Sequence, residues 1–330
     1  MRVAARAATG VVAIVPHWNR RDLLESLFAS FSAQTLQFDE VIVVDNGSSD
    51  GSVELAESLG ARVIALGGNL GFAVAVNRGI EACDTEWVAI LNNDVTLDPD
   101  WLAELMAAAG QASFATGKLL RADDPVEIDG TFDEISRGAC AYRSGAGKPD
   151  SPIWNQPRKI RFAPMTAALF RRSLFEEVGP LDETFGSYLE DVDFGIRCAI
   201  AGREGIYEPR AVAQHRGSAT LGRWTSDTVK HLARNQILLT AKYFRGQPLW
   251  PVLAGQLLWG LVALRHARGG AYLSGKVSGL RVARSLDKLH PSKKQQLSAI
   301  FSVSEKEILE LERQTGFSWY WRAYFWLSRW

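Results

Sequence analysis

Three acidic residues stand within four positions at Glu190-Asp191-Val192-Asp193. A carboxylate held against a substrate hydroxyl can act as a general base, and a neighbouring carboxylate can help to orient the acceptor. Acidic residues are also favoured at the N-terminus of a helix, because they interact with the helix dipole, and they then need no catalytic role. The segment is therefore interpreted either as a catalytic carboxylate pair or as the start of a helix.

The segment Asn92-Asn93-Asp94 places a carboxylate beside two carboxamides after an apolar run. Such oxygen ligands suit a hard divalent cation that keeps its waters and bridges diphosphate oxygens, whereas the alternative is an Asx turn that starts the next helix. His215 is a candidate imidazole ligand for a metal ion, but a single histidine is more often structural. The residues alone leave both interpretations open.

Asp45 opens a third polar loop, which continues to Gly51 with further glycines and serines. At the end of a strand, its carboxylate could accept hydrogen bonds from the N–H of a nucleobase or from a ribose hydroxyl. The glycines would let the backbone approach a ligand closely. The alternative is a polar turn that caps the following helix.

Other nucleotide-binding and hydrolytic motifs are missing from the sequence. No G-x-G-x-x-G follows a predicted strand, and no G-x-S-x-G is present. The segment from Gly145 to Lys148 lacks the earlier glycine and the Ser or Thr of a P-loop. Dehydrogenase, ATPase and hydrolase functions therefore lose their main support.

The polar loops lie between segments that alternate in hydrophobic period along the first 120 residues. Runs that are apolar throughout indicate buried parallel strands with helices on both faces, and their alternation with helical segments predicts a doubly wound α/β domain. Ligands bind such sheets beyond the C-terminal ends of the strands, where these loops lie. The predicted strands are residues 11–15, 41–44, 63–66, 88–91 and 114–116, and the predicted helices are residues 23–31, 53–59, 73–81 and 101–109.

The overall composition is that of an ordinary globular protein, with 47% hydrophobic and 22% charged residues among 330. Three scattered cysteines exclude a disulfide framework and are typical of a reducing cytosol. The N-terminal apolar run is too short for a signal peptide, and residues 249–264 are fewer than the roughly 20 that a membrane-spanning helix needs. We therefore expect a cytoplasmic chain without a transmembrane helix.

Charge divides the chain into two parts. Residues 1–240 contain 23 Lys and Arg against 32 Asp and Glu, whereas residues 241–330 contain 14 against 5. Residues 121–160 predict a loop-rich segment with room for a hairpin, and the chain from Ser226 onward has a helical pattern. We predict a catalytic domain over 1–240 and a helical, basic region over 241–330.

In their order along the chain, the polar loops resemble the family 2 glycosyltransferases, which are inverting enzymes of the GT-A fold. The match covers about residues 10–240. The Asn-Asn-Asp and Glu-Asp-x-Asp segments look most like bacterial rhamnosyltransferase-type members that build surface polysaccharides. The matching segments are residues 15–20, 45–51, 69–73, 77–79, 91–94, 167–178, 190–197 and 215–218.

The resemblance implies a GT-A sheet, mostly parallel with helices on both faces, and a donor site at its loops. Asp45 would bind the nucleobase of the donor, in a pocket lined by Pro16 and Trp18. Asn77 and Arg78 would lie near the donor as well. This part of the chain is thus expected to hold a nucleotide-diphosphate sugar.

The resemblance also implies a divalent cation, Mg²⁺ or Mn²⁺. Asn92-Asn93-Asp94 takes the place of the family's D-x-D motif near the donor, with Asp94 at its second carboxylate. Asn92 replaces the first Asp of that motif. Metal binding would then depend mainly on Asp94, with His215 matching a histidine that completes the metal site in some members.

Asp191 matches the family's catalytic base, and Glu190 is the carboxylate beside it. The implied reaction is an inverting, metal-dependent sugar transfer from dTDP-rhamnose or a UDP-sugar to a hydroxyl of a glycan or lipid-linked acceptor, in bacterial cell-surface polysaccharide synthesis. Two alternatives stay open, an inactive nucleotide-sugar-binding scaffold and a nucleotidyltransferase. The second usually has a glycine-rich loop with Arg or Lys after its first strand, which is missing here. No nucleic acid is expected as a partner.

Residues 241–330 contain six of the eleven tryptophans and most of the excess positive charge. Tryptophan favours the headgroup level of a bilayer, and basic residues are attracted to anionic lipids. This region is therefore predicted to dock on the inner face of the cell membrane as a peripheral element. The alternative is a helical bundle that packs on the catalytic domain or forms a homo-oligomer, because oligomer interfaces are also rich in aromatic residues.

Overall fold

Four parallel strands form one half of the central sheet, in the spatial order β4-β1-β2-β3. The computed structural model describes residues 9–217, 224–286 and 293–328. Strands β1, β2 and β4 are buried along their apolar runs, whereas β3 is a partly exposed edge strand, and the sequence prediction of all four is confirmed. The strands are β1 (Val11–His17), β2 (Glu40–Asp45), β3 (Arg62–Ala65) and β4 (Trp87–Leu91).

Four helices connect and cover this half of the sheet. Leu24 of the first helix and Trp101 of the fourth pack on one face, whereas Val76 of the third packs on the other. Helices thus lie on both faces, as the sequence predicts for a doubly wound fold. The helices are α1 (Arg21–Ser32), α2 (Ser52–Ser58), α3 (Phe72–Glu81) and α4 (Trp101–Ala109).

The other half of the sheet is mixed. Strand β12 (Ala167–Arg171) runs antiparallel between β4 and β6 (Phe114–Arg121). Strand β13 (Gly205–His215) runs parallel to β6 and antiparallel to β5 (Val95–Leu97). The sheet is completed by β7 (Glu127–Gly130), β10 (Lys148–Pro149) and β11 (Arg158–Ile160).

The turn-rich segment at residues 121–160 contains more regular structure than its sequence predicts. Besides β7, β10 and β11, it forms a separate two-stranded antiparallel sheet from β8 (Asp133–Ile135) and β9 (Ala141–Arg143). Such short strands leave a weak pattern in the sequence. They are ordered by packing beneath the C-terminal helices, as when the backbone N–H of Ile135 donates to Ser304 Oγ at 2.7 Å.

The C-terminal part is helical, as predicted. Helix α7 runs without a break through residue 240, so the predicted domain boundary there falls inside a helix. The helices of the second half are α5 (Arg172–Glu177), α6 (Glu190–Ile200), α7 (Ser226–Tyr243), α8 (Leu249–Arg265), α9 (Gly269–Val282), α10 (Lys294–Thr315) and α11 (Trp319–Leu327).

The C-terminal helices share a hydrophobic core with the sheet. Ile308 of α10 and Tyr324 of α11 belong to the same buried cluster as Ile14 of β1. Glu305 of α10 also accepts hydrogen bonds from Arg137, in the loop between β8 and β9. The C-terminal helices are therefore packed on the catalytic domain, which is the arrangement given above as the alternative to membrane docking. Within the described residues, no helix is both long and apolar enough to cross a membrane.

Candidate active site

A cavity of about 430 Å³ opens where the carboxyl ends of β1 and β4 face the N-terminus of α6. It lies at the edge of the sheet where doubly wound folds bind ligands, and its volume is within the range of small-molecule sites, about 300–1,000 Å³. Most of the residues that the sequence singles out line this cavity, namely Pro16, Trp18, Asn92, Asn93, Asp94, Glu190, Asp191 and His215.

His215, the last residue of β13, stands beside Asp94 because β13 pairs with β5. That register places His215 opposite Val95, and its Nε2 lies 3.1 Å from Asp94 Oδ1. The other ring nitrogen, Nδ1, lies 2.8 Å from Oδ2 of Asp129 on β7. His215 therefore bridges two carboxylates, and only 7% of its side chain is exposed.

The two carboxylates determine the protonation of His215. Burial alone would lower the pKa of the imidazole, but the hydrogen bonds and charges of Asp129 and Asp94 outweigh burial and raise that pKa to about 9. The imidazole of His215 is therefore positively charged at neutral pH when no metal ion is bound to it. A metal ion at Nε2 would have to displace this proton.

The same geometry fits a divalent cation between Asp94 and His215. Both residues line the cavity, and the 3.1 Å between His215 Nε2 and Asp94 Oδ1 is short enough for the two atoms to bind one ion. Asp129 at Nδ1 has the position of the carboxylate that orients many metal-ligating histidines. No group of three or more His, Cys, Asp or Glu residues in the described ranges could hold a metal by itself. Water and substrate oxygens would have to complete the coordination, as is usual for Mg²⁺.

A strained turn holds Glu190 and Asp191 at the cavity. Tyr188 and Leu189, which precede α6, both have left-handed backbone conformations, with φ angles of 73° and 68°. Such residues cost on the order of 1–3 kcal/mol each and persist only where the surroundings enforce them. Here Asn235 of α7 enforces the turn, because its fully buried amide donates hydrogen bonds to three backbone carbonyls, including that of Tyr188 at 2.6 Å.

The two carboxylates differ in their surroundings. Burial raises the pKa of Asp191, and the guanidinium of Arg143 opposes part of that rise. Burial, followed by the charge of Asp191, raises the pKa of Glu190 well above its ordinary value. Glu190 Oε2 also has no hydrogen-bond partner among the described residues. Asp191 is therefore the carboxylate that ionises more readily, and Glu190 is the one that retains its proton.

Asp193, the third acid of the segment, has a structural role. Its side chain is fully buried and accepts hydrogen bonds from Arg197 Nε at 3.0 Å and from the Tyr243 hydroxyl at 2.7 Å. Lys242 Nζ lies 2.5 Å from Asp193 Oδ1. These bonds tie α6 to α7, and Asp193 does not line the cavity.

Sequence reasoning missed a cation and an acid that lie beside Asp191. Arg143 of β9 and Asp133 of β8 both line the cavity, with Arg143 Nε 3.6 Å from Asp133 Oδ1. Burial, only partly opposed by Arg143, raises the pKa of Asp133 to about 7. The two residues come from the turn-rich segment, where no spacing or motif points to them.

His17 is a second residue whose part in the site was missed. Its Nδ1 lies 3.0 Å from the side-chain amide nitrogen of Asn93, which is the donor of this hydrogen bond. Burial lowers the pKa of His17, so the ring is neutral and can accept this bond. His17 thus fixes the Asn92-Asn93-Asp94 loop against the end of β1.

Asp45 lies next to the cavity without lining it. Its Oδ2 accepts hydrogen bonds from the backbone N–H groups of Gly47 and Ser48, at 3.0 Å each. Its buried Oδ1 has no partner among the described residues, and the adjacent Asn46 does line the cavity. One oxygen of Asp45 is therefore available to a ligand.

Asn77 and Arg78 were predicted to lie near the donor, but neither lines the cavity. Asn77 is buried and joins α3 to a loop, since its amide donates to the Leu181 carbonyl at 3.0 Å and accepts from the Leu181 N–H at 2.9 Å. Arg78 forms surface ion pairs with Glu81 and Glu183. These contacts are those of structural residues, and a place for Asn77 and Arg78 near the donor stays a prediction.

The family model described as "Glycosyl transferase family 2" matches residues 12–179, which include the ends of β1, β2 and β4. The chain belongs to glycosyl transferase family 2. This glycosyltransferase is 32% identical over 236 residues to an N-acetylglucosaminyl-diphospho-decaprenol L-rhamnosyltransferase of Mycobacterium tuberculosis. The aligned region covers 64% of this chain and 76% of the relative. It is 28% identical over 285 residues to a pre-mycofactocin glycosyltransferase of the same organism, covering 84% of this chain and 58% of the relative.

Two solved structures share the fold of this glycosyltransferase. GalNAc-T7, solved with UDP, GalNAc and Mn²⁺, superposes with a TM-score of 0.64 at 12% identity, covering 93% of this chain and 58% of the other. The mannosyltransferase PcManGT of Pyrobaculum calidifontis, in complex with GDP-Man and Mn²⁺, gives a TM-score of 0.53 at 19% identity, covering 95% and 85%. The predicted GT-A fold is therefore confirmed.

Proposed function

We propose that this glycosyltransferase moves a sugar with inversion from a nucleotide-diphosphate donor, dTDP-rhamnose or a UDP-sugar, to a hydroxyl of a glycan or lipid-linked acceptor. The observation that carries the proposal is that Asp191 lines the same cavity as the Asp94–His215 pair. A base and a diphosphate-binding group are thus available to one bound substrate pair. The name of the mycobacterial rhamnosyltransferase relative supports rhamnose as the sugar and a lipid-linked saccharide as the acceptor. We propose bacterial cell-surface polysaccharide synthesis as the process.

The proposed reaction is a single displacement. Asp191 takes the proton of the acceptor hydroxyl while that oxygen bonds to the anomeric carbon, and the bond from this carbon to the diphosphate oxygen breaks. The nucleoside diphosphate leaves from the opposite face, so the anomeric configuration inverts. A raised pKa supports Asp191 in this role, since a base is most effective when its pKa approaches the working pH.

Donor binding is proposed at the ends of β1, β2 and β4. Trp18 and Pro16 line the cavity and offer apolar surface to a nucleobase. The uncommitted Oδ1 of Asp45 can accept a hydrogen bond from a base N–H. Asp94 and His215 would hold a divalent cation, which would neutralise charge on the departing diphosphate.

A donor panel with product analysis tests the proposal. The purified chain is incubated with dTDP-rhamnose, UDP-galactose, UDP-glucose, UDP-N-acetylglucosamine and GDP-mannose, in the presence of a lipid-linked saccharide acceptor. We expect release of a nucleoside diphosphate with one donor, and NMR of the product should show an inverted anomeric centre. Release of pyrophosphate would instead identify a nucleotidyltransferase, and binding of a donor without turnover would identify a scaffold.

A further inference from the structure

Helix α8 turns an almost entirely apolar face to solvent. The helix buries Pro251, Val252, Ala254 and Leu258. Its exposed large apolar side chains are leucines and one tryptophan. Monomeric proteins seldom expose apolar surface of this extent without using it for binding. The exposed residues are Leu249, Trp250, Leu253, Leu257, Leu261 and Leu264.

Helix α9 adds a second exposed stripe beside the first. Leu273, Val277 and Leu280 repeat at helical spacing and are exposed. The two helices form a packed hairpin, in which the Tyr272 hydroxyl of α9 donates to the Gln256 carbonyl of α8 at 2.5 Å. The six α8 residues named above and these three of α9 are called the leucine face below.

The hairpin that carries the leucine face has no negative side chain. Residues 249–286 contain five Arg and Lys and neither Asp nor Glu. Arg265, Arg281 and Arg284 are exposed and form no ion pair within the described ranges. They lie near the two ends of the hairpin, with the leucines between them. This is the pattern of an amphipathic element that lies in a lipid interface, with arginines at phosphate level and apolar side chains in the acyl region.

We propose that the leucine face inserts into the surface of an anionic lipid bilayer and docks the enzyme there. Composition alone predicted membrane docking from tryptophans and basic residues, whereas the structure adds exposed leucines as a docking surface. Of the tryptophans in α11, Trp321 is buried in the core and Trp319 and Trp326 are exposed, whereas the leucine face presents nine exposed apolar side chains on two adjacent helices. Insertion in the plane of the interface requires no membrane-spanning helix.

The charge of the hairpin distinguishes a bilayer from a second copy of the chain as the occupant. In a two-fold symmetric dimer, a patch meets its own image, so the exposed arginines of one copy would approach those of the other. Without acidic residues on the hairpin, that contact has no compensating charge. Phosphate headgroups supply the compensation that a second copy lacks.

Docking through this hairpin would hold the cavity close to lipid-linked acceptors. Helix α9 packs so tightly on α7 that a Cβ added at Gly275 would lie 2.3 Å from the Lys230 carbonyl oxygen. Helix α7 in turn supplies Leu232 to the cavity lining and Asn235 to the turn before α6. The membrane surface and the proposed base would therefore be linked by two directly packed helices.

Cosedimentation with vesicles tests the docking without donor or acceptor, so its failure would leave the proposed sugar transfer untouched. The full chain is mixed with vesicles of phosphatidylcholine alone or with phosphatidylglycerol, at low and high salt. We expect binding to the anionic vesicles, weakened by salt. Leu257→Glu with Leu261→Glu should reduce binding roughly tenfold or more, since each substitution replaces an apolar side chain that would enter the acyl region with a charged one. Arg281→Glu with Arg284→Glu should reduce binding at low salt, by about fivefold or more for each residue.

Matched controls keep the test specific. Val126 is 69% exposed and Leu257 is 65% exposed, so Val126→Glu is the matched control for the single substitution Leu257→Glu, with the same added charge at an equally exposed apolar site away from the hairpin. Lys159→Glu is the control for charge reversal, at a side chain that is 81% exposed. Both controls should bind vesicles like the native chain, and circular dichroism should show all variants folded. The proposal is overturned if the native chain never sediments, if the controls lose binding equally, or if the leucine variants only dissociate a dimer.

Discussion

The two sides of the cavity are built in different ways. The donor side comes from the ends of parallel strands, where Trp18 and Asp94 follow β1 and β4, and the two residues after Trp18, Asn19 and Arg20, are also left-handed, with φ angles of 51° and 61°. The base side places Asp191 behind two left-handed residues, among buried carboxyls with raised pKa values. Left-handed residues thus occur on both sides, and the difference lies in the cluster of buried carboxyls with raised pKa values, which is typical of places where a protein needs chemistry more than stability. The difference suggests that the donor side binds and the base side reacts.

The substitution Asp191→Asn should have the largest effect. The amide cannot accept a proton, so we expect turnover to fall by about 10²–10⁴-fold while nucleotide binding and melting temperature stay close to native. Initial rates with saturating acceptor and calorimetry with the nucleoside diphosphate measure the two effects separately.

Glu190→Gln is the matched control for that substitution. Because Glu190 holds its proton more strongly than Asp191, the amide should preserve most of the turnover. If Asp191→Asn retains native turnover and Glu190→Gln does not, the two roles must be exchanged. Asp193 is not a useful alternative, since its substitution would break the bonds between α6 and α7.

On the donor side, Asp94→Ala should act through the diphosphate. We expect EDTA to abolish activity, Mn²⁺ or Mg²⁺ to restore it, and Asp94→Ala to cost several kcal/mol of transition-state stabilisation. Binding of the nucleoside diphosphate should weaken more than binding of the nucleoside, because a cation at Asp94 and His215 would contact only phosphates. Full activity in chelator would remove the metal from the proposal.

The donor side was also the easier one to predict from the sequence. Parallel strands that are buried on both faces are uniformly apolar, so β1, β2 and β4 and the polar loops after them are visible in the sequence. Arg143 and Asp133 could not be predicted, because β8 and β9 have three residues each and form against α10, more than 150 residues further along. Long-range packing of this kind leaves no local pattern.

Asn235 offers a way to loosen the base side without touching a reacting group. Asn235→Ala removes the amide whose two N–H groups are shared among the carbonyls of Phe185, Ser187 and Tyr188, and each carbonyl that is left without a donor costs about 1–3 kcal/mol. We expect a lower melting temperature and a lower kcat, with the KM for the donor nearly unchanged. A fall in stability with native kcat at a temperature where the variant is folded would show that the strained turn does not position Asp191.

The protonation of Asp191 can be shifted through Arg143. Arg143 holds the pKa of Asp191 below the value that burial alone would give, so Arg143→Gln should raise that pKa further. A base must be ionised to act, and activity falls as the pH drops through its pKa. The acid limb of the kcat/KM profile should therefore move to higher pH in Arg143→Gln and stay near its native position in Arg143→Lys. If the acid limb moves in neither variant, the protonation of Asp191 does not determine the pH profile.

The smallest effect should come from Arg78→Ala. The resemblance to the family puts Arg78 near the donor, whereas its ion pairs with Glu81 and Glu183 lie on an exposed surface. Exposed ion pairs contribute about 0–1 kcal/mol, because solvent screens them and ordering the side chains opposes them. We therefore expect native kcat, native KM for the donor and a melting temperature close to native. A raised KM for the donor in Arg78→Ala would mean that α3 turns toward the nucleotide when it binds, and that the donor side rearranges on binding.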